Sequence, residues 1–194
     1  MARHKSFEKE DVLIEATNLF WKQGFEKTSI QELVNTTGIN RASLYHAFNG
    51  KKELFQTCLI EYRDEVISTI NNLFNKEKTI KRGFESLYDF IIKSLSDDPD
   101  KKGCFICNTY AEFLPSNNHV DYQIIHETRD IWISTLQKYL NKGKENGEIT
   151  SNTNTIQKSY AIYASIIGIG VLSKTNTNKR ELKNIFKSHL NIFN

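Results

Sequence analysis

Cys104-Phe-Ile-Cys107 places two thiols three residues apart, a spacing that can serve disulfide exchange, metal ligation or oxidant sensing. A thiol oxidoreductase of the thioredoxin kind would carry such a pair where a helix follows a strand, and no strand–helix alternation is readable in this chain. A zinc site would need two more ligands at matched spacing, which His119 and His126 do not supply. Two readings stay open. Either both thiols are small apolar packing residues at i and i+3, or Cys104, following Lys101-Lys102 near a helix start, has a lowered pKa and senses oxidants or electrophiles. A second loaded group is Asn40, Arg41 and Ser43, with Tyr45, His46, Lys51 and Lys52 close behind. These are hydrogen-bonding and cationic side chains of the kind that meets base edges and phosphates.

The elements around that second group follow from local signals. Residues 8–23 put Val12, Leu13, Ala16, Leu19 and Phe20 on one helical face, and Gly24 is a stop. Thr28 and Gln31 have capping-box spacing for a helix through about Val34; Gly38 ends that turn, and Asn40 can cap a helix over 41–47. Asn49-Gly50 breaks the chain before a long helix from Lys51 to about Phe74. A short helix, a glycine turn and a second short helix form a helix-turn-helix, whose second helix enters the major groove while the first braces it. Leu44 and Phe48 would anchor that second helix on Leu33, Ile30 and Phe20.

Further helical patterns recur at about 79–95, 103–114, 120–143, 153–173 and 178–190, with no run that requires a sheet. The expected fold is all-α: a helix-turn-helix head over 1–52 and a helical body over 53–194. The run Tyr160–Leu172 is too short to span a bilayer, the first residues lack a signal peptide's apolar core, and three cysteines make no disulfide framework. A cytoplasmic chain with no membrane partner is expected. The net charge of +3 is weak, and residues 1–52 hold eight basic against six acidic side chains, so DNA binding rests on placement. Neither a Ser-His-Asp order, a glycine-rich phosphate loop nor a His-Glu-x-x-His motif is present, so no enzyme, cofactor or metal is expected.

Residues 8–54 resemble the DNA-binding domain of the TetR family of transcriptional repressors. The resemblance lies in Phe20-Trp-Lys-Gln-Gly-Phe25, Thr28-Ser29-Ile30, Gly38-Ile39, Ser43-Leu44-Tyr45-His46-x-Phe48 and Lys51-x-x-Leu54. It implies phosphate contacts from Thr28, with Ser29 beside it, and from Tyr45 and Lys51. Asn40, Arg41 and Ser43 would face bases, with His46 a further candidate. Lys52 stands where the family commonly has an acidic residue, and adds to phosphate attraction. The resemblance also implies a homodimer on a palindromic double-stranded operator, and a small-molecule effector of unknown identity that releases it. For the dimer interface the sequence offers Ile156, Tyr160, Tyr163, Ile167, Gly168 and Val171, with Leu182 and Phe186. For the effector pocket it offers Tyr62, Phe84, Tyr88, Cys104, Cys107, Tyr110, Phe113 and Trp132. Each of these residues also reads as plain core.

Overall fold

Thr28 Oγ1 donates to the Gly24 carbonyl at 2.6 Å, which turns the side chain inward and leaves the next residue to start the helix. Ser29 Oγ accepts from the Glu32 amide at 3.1 Å and the Glu32 carboxylate accepts from the Ser29 amide at 2.8 Å. The capping box is therefore Ser29/Glu32, one residue beyond the expected Thr28/Gln31 pair. In this computed structural model, which describes residues 8–112, 122–175 and 178–193, that cap opens α2.

The elements in order are α1 (Lys9–Gln23), α2 (Ile30–Thr37), α3 (Arg41–Phe48), α4 (Lys51–Lys76) and α5 (Ile80–Ser96). They continue with α6 (Phe105–Glu112), α7 (Tyr122–Glu145), α8 (Thr155–Leu172), α9 (Lys179–Lys187) and a 3-10 turn (Leu190–Ile192). Asn and Thr caps start α3, α5, α8 and α9: Asn40 accepts from Ser43, Thr79 from Arg82, Asn154 from Gln157 and Asn178 from Glu181. No strand forms among the described residues beyond an isolated bridge between Ile149 and Phe193. The fold is all-α.

Head and body share one hydrophobic core. Phe20 and Phe25 of the head each lie 5.1 Å, centroid to centroid, from Phe55 of α4, and Phe55 lies 5.6 Å from Phe105 of α6. Such edge contacts are each worth ~0.5–1.5 kcal/mol beyond the area they bury. Because α4 runs unbroken through Lys51–Lys76, the expected division at 52/53 falls inside a single helix. Further down, Phe74 stacks on Tyr139 at 3.8 Å and Tyr88 on Phe186 at 4.1 Å, closing α4, α5, α7 and α9 around the body.

The segment from Gly103 to the end of α6 is tied to the head at both ends. Trp21 Nε1–H donates to the Gly103 carbonyl at 3.1 Å, and the Glu112 carboxylate accepts from the amides of Phe25 at 2.9 Å and Glu26 at 2.7 Å. On its other side α6 meets α8 at Gly170, where a Cβ would stand 2.6 Å from Cys107 Sγ. Only glycine permits that approach.

Candidate nucleic-acid interface and body cavity

Helix α3 stands on Leu44 and Phe48, both buried with Leu33, Ile39 and Phe20. Gly38, at φ 70°, ends α2, and Asn40 Oδ1 accepts from the Ser43 amide at 2.8 Å to start α3. The face opposite the anchors presents Asn40, Arg41, Ala42, Tyr45 and His46 to solvent, with Ser43 half-buried. Arg41 lies with its guanidinium 5.8 Å from the Tyr45 ring. Helix α4 begins at Gly50 with no side-chain cap, so its first amides are free to meet an anion. Lys51 and Lys52 are half-buried there. Lys51 Nζ rests 4.2 Å over the Phe25 ring, and desolvation holds its pKa below the usual lysine range against the pull of Glu26, Glu112 and Glu32.

Of the expected DNA-contact residues, Ser29, Asn40, Arg41, Tyr45 and His46 are exposed on the head, and Ser43, Lys51 and Lys52 are half-buried. Thr28 departs from the set. It is 1% exposed, with its hydroxyl between Gly24 and Gln23 Nε2 at 3.2 Å, and it shapes the turn instead of presenting a phosphate contact.

A cavity of about 460 Å³ opens between the head and the body. Its walls include Leu13, Ile14 and Trp21 of α1, Tyr62 and Val66 of α4, Phe90 of α5, Cys104, and Trp132 of α7. Of the expected pocket residues, Tyr62, Cys104 and Trp132 are there. Phe84 packs on Phe74 at 5.0 Å and Tyr88 on Phe186, so both fill the core on the far side of α5. Cys107 is buried against Gly170, and Tyr110 shares a 2.6 Å hydrogen bond with Tyr163; none of these lines the cavity. Phe113 lies outside the described residues. The α1 wall had no sequence signal, because the apolar face of α1 reads as core whatever covers it.

Cys104, Cys107 and Cys58 are free thiols. Hydrogen bonding from Cys107, with Tyr62 O–H donating from 3.9 Å, brings the half-buried Cys104 thiol down to about 7. The same bond drives the Cys107 thiol upward, and burial pushes Cys58 up to about 12. Among the described residues no group of three His, Cys, Asp or Glu side chains could hold a metal, and no helix is long and apolar enough to cross a membrane.

The profile for bacterial regulatory proteins of the tetR family matches residues 12–58, and that for the tetracyclin repressor-like C-terminal domain matches residues 82–188. The chain belongs to the TetR family. Among curated relatives, the HTH-type transcriptional repressor ComR of Escherichia coli (strain K12) is 24% identical over 192 residues, covering 98% of this chain and 91% of ComR. An uncharacterized HTH-type regulator, YezE of Bacillus subtilis, is 26% identical over 153 residues, covering 77% of this chain and 79% of YezE. A cysteine mutant of the TetR-family regulator CifR, complexed with 26 bp double-strand operator DNA, superposes with a TM-score of 0.87 at 20% identity, covering 100% of both chains. The reduced form of E. coli NemR superposes at 0.84 with 20% identity, covering 95% of this chain and 96% of that one.

The residues expected at a dimer interface lie on the last helices, α8 and α9. On α8, Ile156, Tyr160, Val171 and Leu172 are exposed, at 36%, 51%, 52% and 40%, and space is open at Gly168. Ile167 is half-buried beside them. Tyr163, Leu182 and Phe186 point the other way. Tyr163 bonds Tyr110 inside the body, and Leu182 and Phe186 are buried against α5, so these three expected interface residues belong to the monomer core.

Proposed function

We propose that the chain is a transcriptional repressor that binds a palindromic double-stranded operator as a homodimer and is released by a small molecule held in the C-terminal body. The observation that carries this reading is the exposed α3 face, Asn40, Arg41, Tyr45 and His46, standing beside the uncapped start of α4. Side chains on α3 then read base edges while Tyr45, Lys51, Lys52 and the α4 amides hold phosphates. CifR bound to operator DNA and the repressor name of ComR support it. Two heads must sit roughly 34 Å apart to enter successive major grooves, which makes their spacing the switch. The exposed apolar stripe of α8 suits a second copy of the same chain. The test is protection of a symmetric site in DNA upstream of the gene itself or its neighbours. Binding that neither discriminates that site from random duplex nor falls on mutation of α3 would refute it.

The lowered Cys104 pKa favours a second mode of release. Peroxide would oxidise the Cys104 thiolate to a sulfenic acid, and Cys107 would condense with it to a disulfide with loss of water. Operator binding that peroxide abolishes and dithiothreitol restores, in wild type but not in Cys104→Ser, supports this mode; indifference to peroxide removes it. An enzymatic thiol exchange suits the geometry less, because the partner thiol, Cys107, is buried.

A further inference from the structure

Trp21 and Trp132 are the chain's two tryptophans, and both line the cavity between head and body. Its volume of about 460 Å³ falls within the range of drug-sized sites. The walls combine aromatic faces from Trp21, Tyr62, Phe90 and Trp132 with two exposed carboxylates, Glu61 and Glu65, at i and i+4 on α4. Among the described residues no lysine or arginine lines it. The nearby cation Lys102 sits 5.0 Å over the Trp21 ring and is paired with Asp98 at 3.7 Å. Ile14, on the α1 wall, is 60% exposed, the highest among the exposed large hydrophobics of the described residues. Trp132 Nε1–H is buried with no acceptor among the described residues.

We propose that this cavity is the effector site and that it takes a flat aromatic cation. The rings would lie against the tryptophan and tyrosine faces, whose quadrupoles attract positive charge. The charge would point to Glu61 and Glu65, and a ligand oxygen at the inner end would satisfy Trp132 Nε1–H. A carboxylate ligand would find no cation on the lining and would face two like charges, so anions are disfavoured. This deepens the repressor reading and rests on it, because α1 is at once a wall of the site and a brace of the head. A ligand that fits best when α1 is displaced from α4 reaches the reading helix without a relay, and releases DNA only by that difference in affinity.

With both tryptophans in the site, intrinsic fluorescence reports occupancy. Three two-ring probes of one shape, 1-methylquinolinium, quinoline at pH 8 and 1-naphthoate, are titrated into the full-length protein. Saturable quenching by the cation, at a Kd about tenfold or more below those of the neutral and anionic probes, is the expected result. In the exposed-surface variant Glu61→Gln/Glu65→Gln that advantage falls to about threefold or less. Equal binding of quinoline or naphthoate, absence of saturable quenching, or a preference that survives the double substitution would each overturn the site. Adding the cation to protein on an operator duplex reads the coupling: release supports it, and quenching without release overturns it. Failure to bind duplex DNA at all counts against the repressor reading alone, since the quenching series stands without DNA.

Discussion

Arg41 and Tyr45 share the exposed face of α3 one turn apart, and the proposed reading gives them different work. Arg41 is at the helix start, free to place its fork on a base edge, whereas Tyr45 lies toward the end next to the α4 amides. Arg41→Ala is expected to cost about 1–3 kcal/mol on the operator and to relax preference at one base position. Tyr45→Ala and Lys51→Ala should weaken operator and random duplex alike, Lys51→Ala also lowering the salt slope by about one. Fluorescence anisotropy across a salt series distinguishes the two behaviours. Cys104 carries a second residue-level prediction. Its pKa is lowered, so the reactive thiolate accumulates above about pH 7. Iodoacetamide labelling of Cys104, followed by peptide mass spectrometry, should rise with a midpoint near pH 7 while Cys58, pushed up to about 12, lags at every pH below that. Equal rates for the two would remove the perturbation. Arg41 and Tyr45 were legible in the sequence because their spacing along one short helix fixes which face they share. Thr28 was not, since a hydroxyl beside a turn can cap the helix or fold back on Gly24, and only the closed turn selects.

At the scale of elements, α6 is the piece whose importance no periodicity announces. Its eight residues carry Cys107 and Asn108 and end at Glu112, whose carboxylate holds two head amides 86 and 87 residues away in sequence. Gly24 completes that contact, because at φ +86° a Cβ would lie 2.8 Å from both Glu112 oxygens. Glu112→Ala should destabilise the protein by about 1–3 kcal/mol, the loss of two charge-assisted hydrogen bonds, one to the partly buried Phe25 amide and one to the exposed Glu26 amide. The urea midpoint would fall, and hydrogen exchange at Phe25 and Glu26 would speed up more than exchange across α7. Uniform acceleration over the whole chain would mean that α6 is ordinary core and no particular tie to the head. Helix boundaries themselves were largely readable. Caps such as Asn40, Thr79, Asn154 and Asn178, and stops such as Gly38, act within one turn of the residues they cap. A carboxylate that reaches across 86 residues leaves no local trace.

For the whole molecule, the proposed dimer turns on the α8 stripe that a single chain leaves uncovered. Tyr160→Glu places a charge at its centre, on a side chain already 51% exposed, so the monomer fold should survive. Light scattering is expected to show a shift from dimer to monomer with unchanged helical circular dichroism. Operator affinity should drop by about 100-fold or more, because two half-sites no longer bind as one tethered unit. A dimeric Tyr160→Glu protein would move the interface elsewhere. By itself the sequence determined the helices, their order and the reading head, since periodicity, caps and the spacing of anchors are local properties of the chain. It also marked α8 and α9 as apolar, but could not say which apolar residues the chain covers itself. The tertiary structure decided that Tyr163, Leu182 and Phe186 turn inward, that Ile156, Tyr160 and Val171 stay exposed, and that α1 walls a cavity it shares with the body. Whether an apolar side chain is core, interface or pocket depends on what packs over it, and those neighbours are brought in from distant parts of the chain.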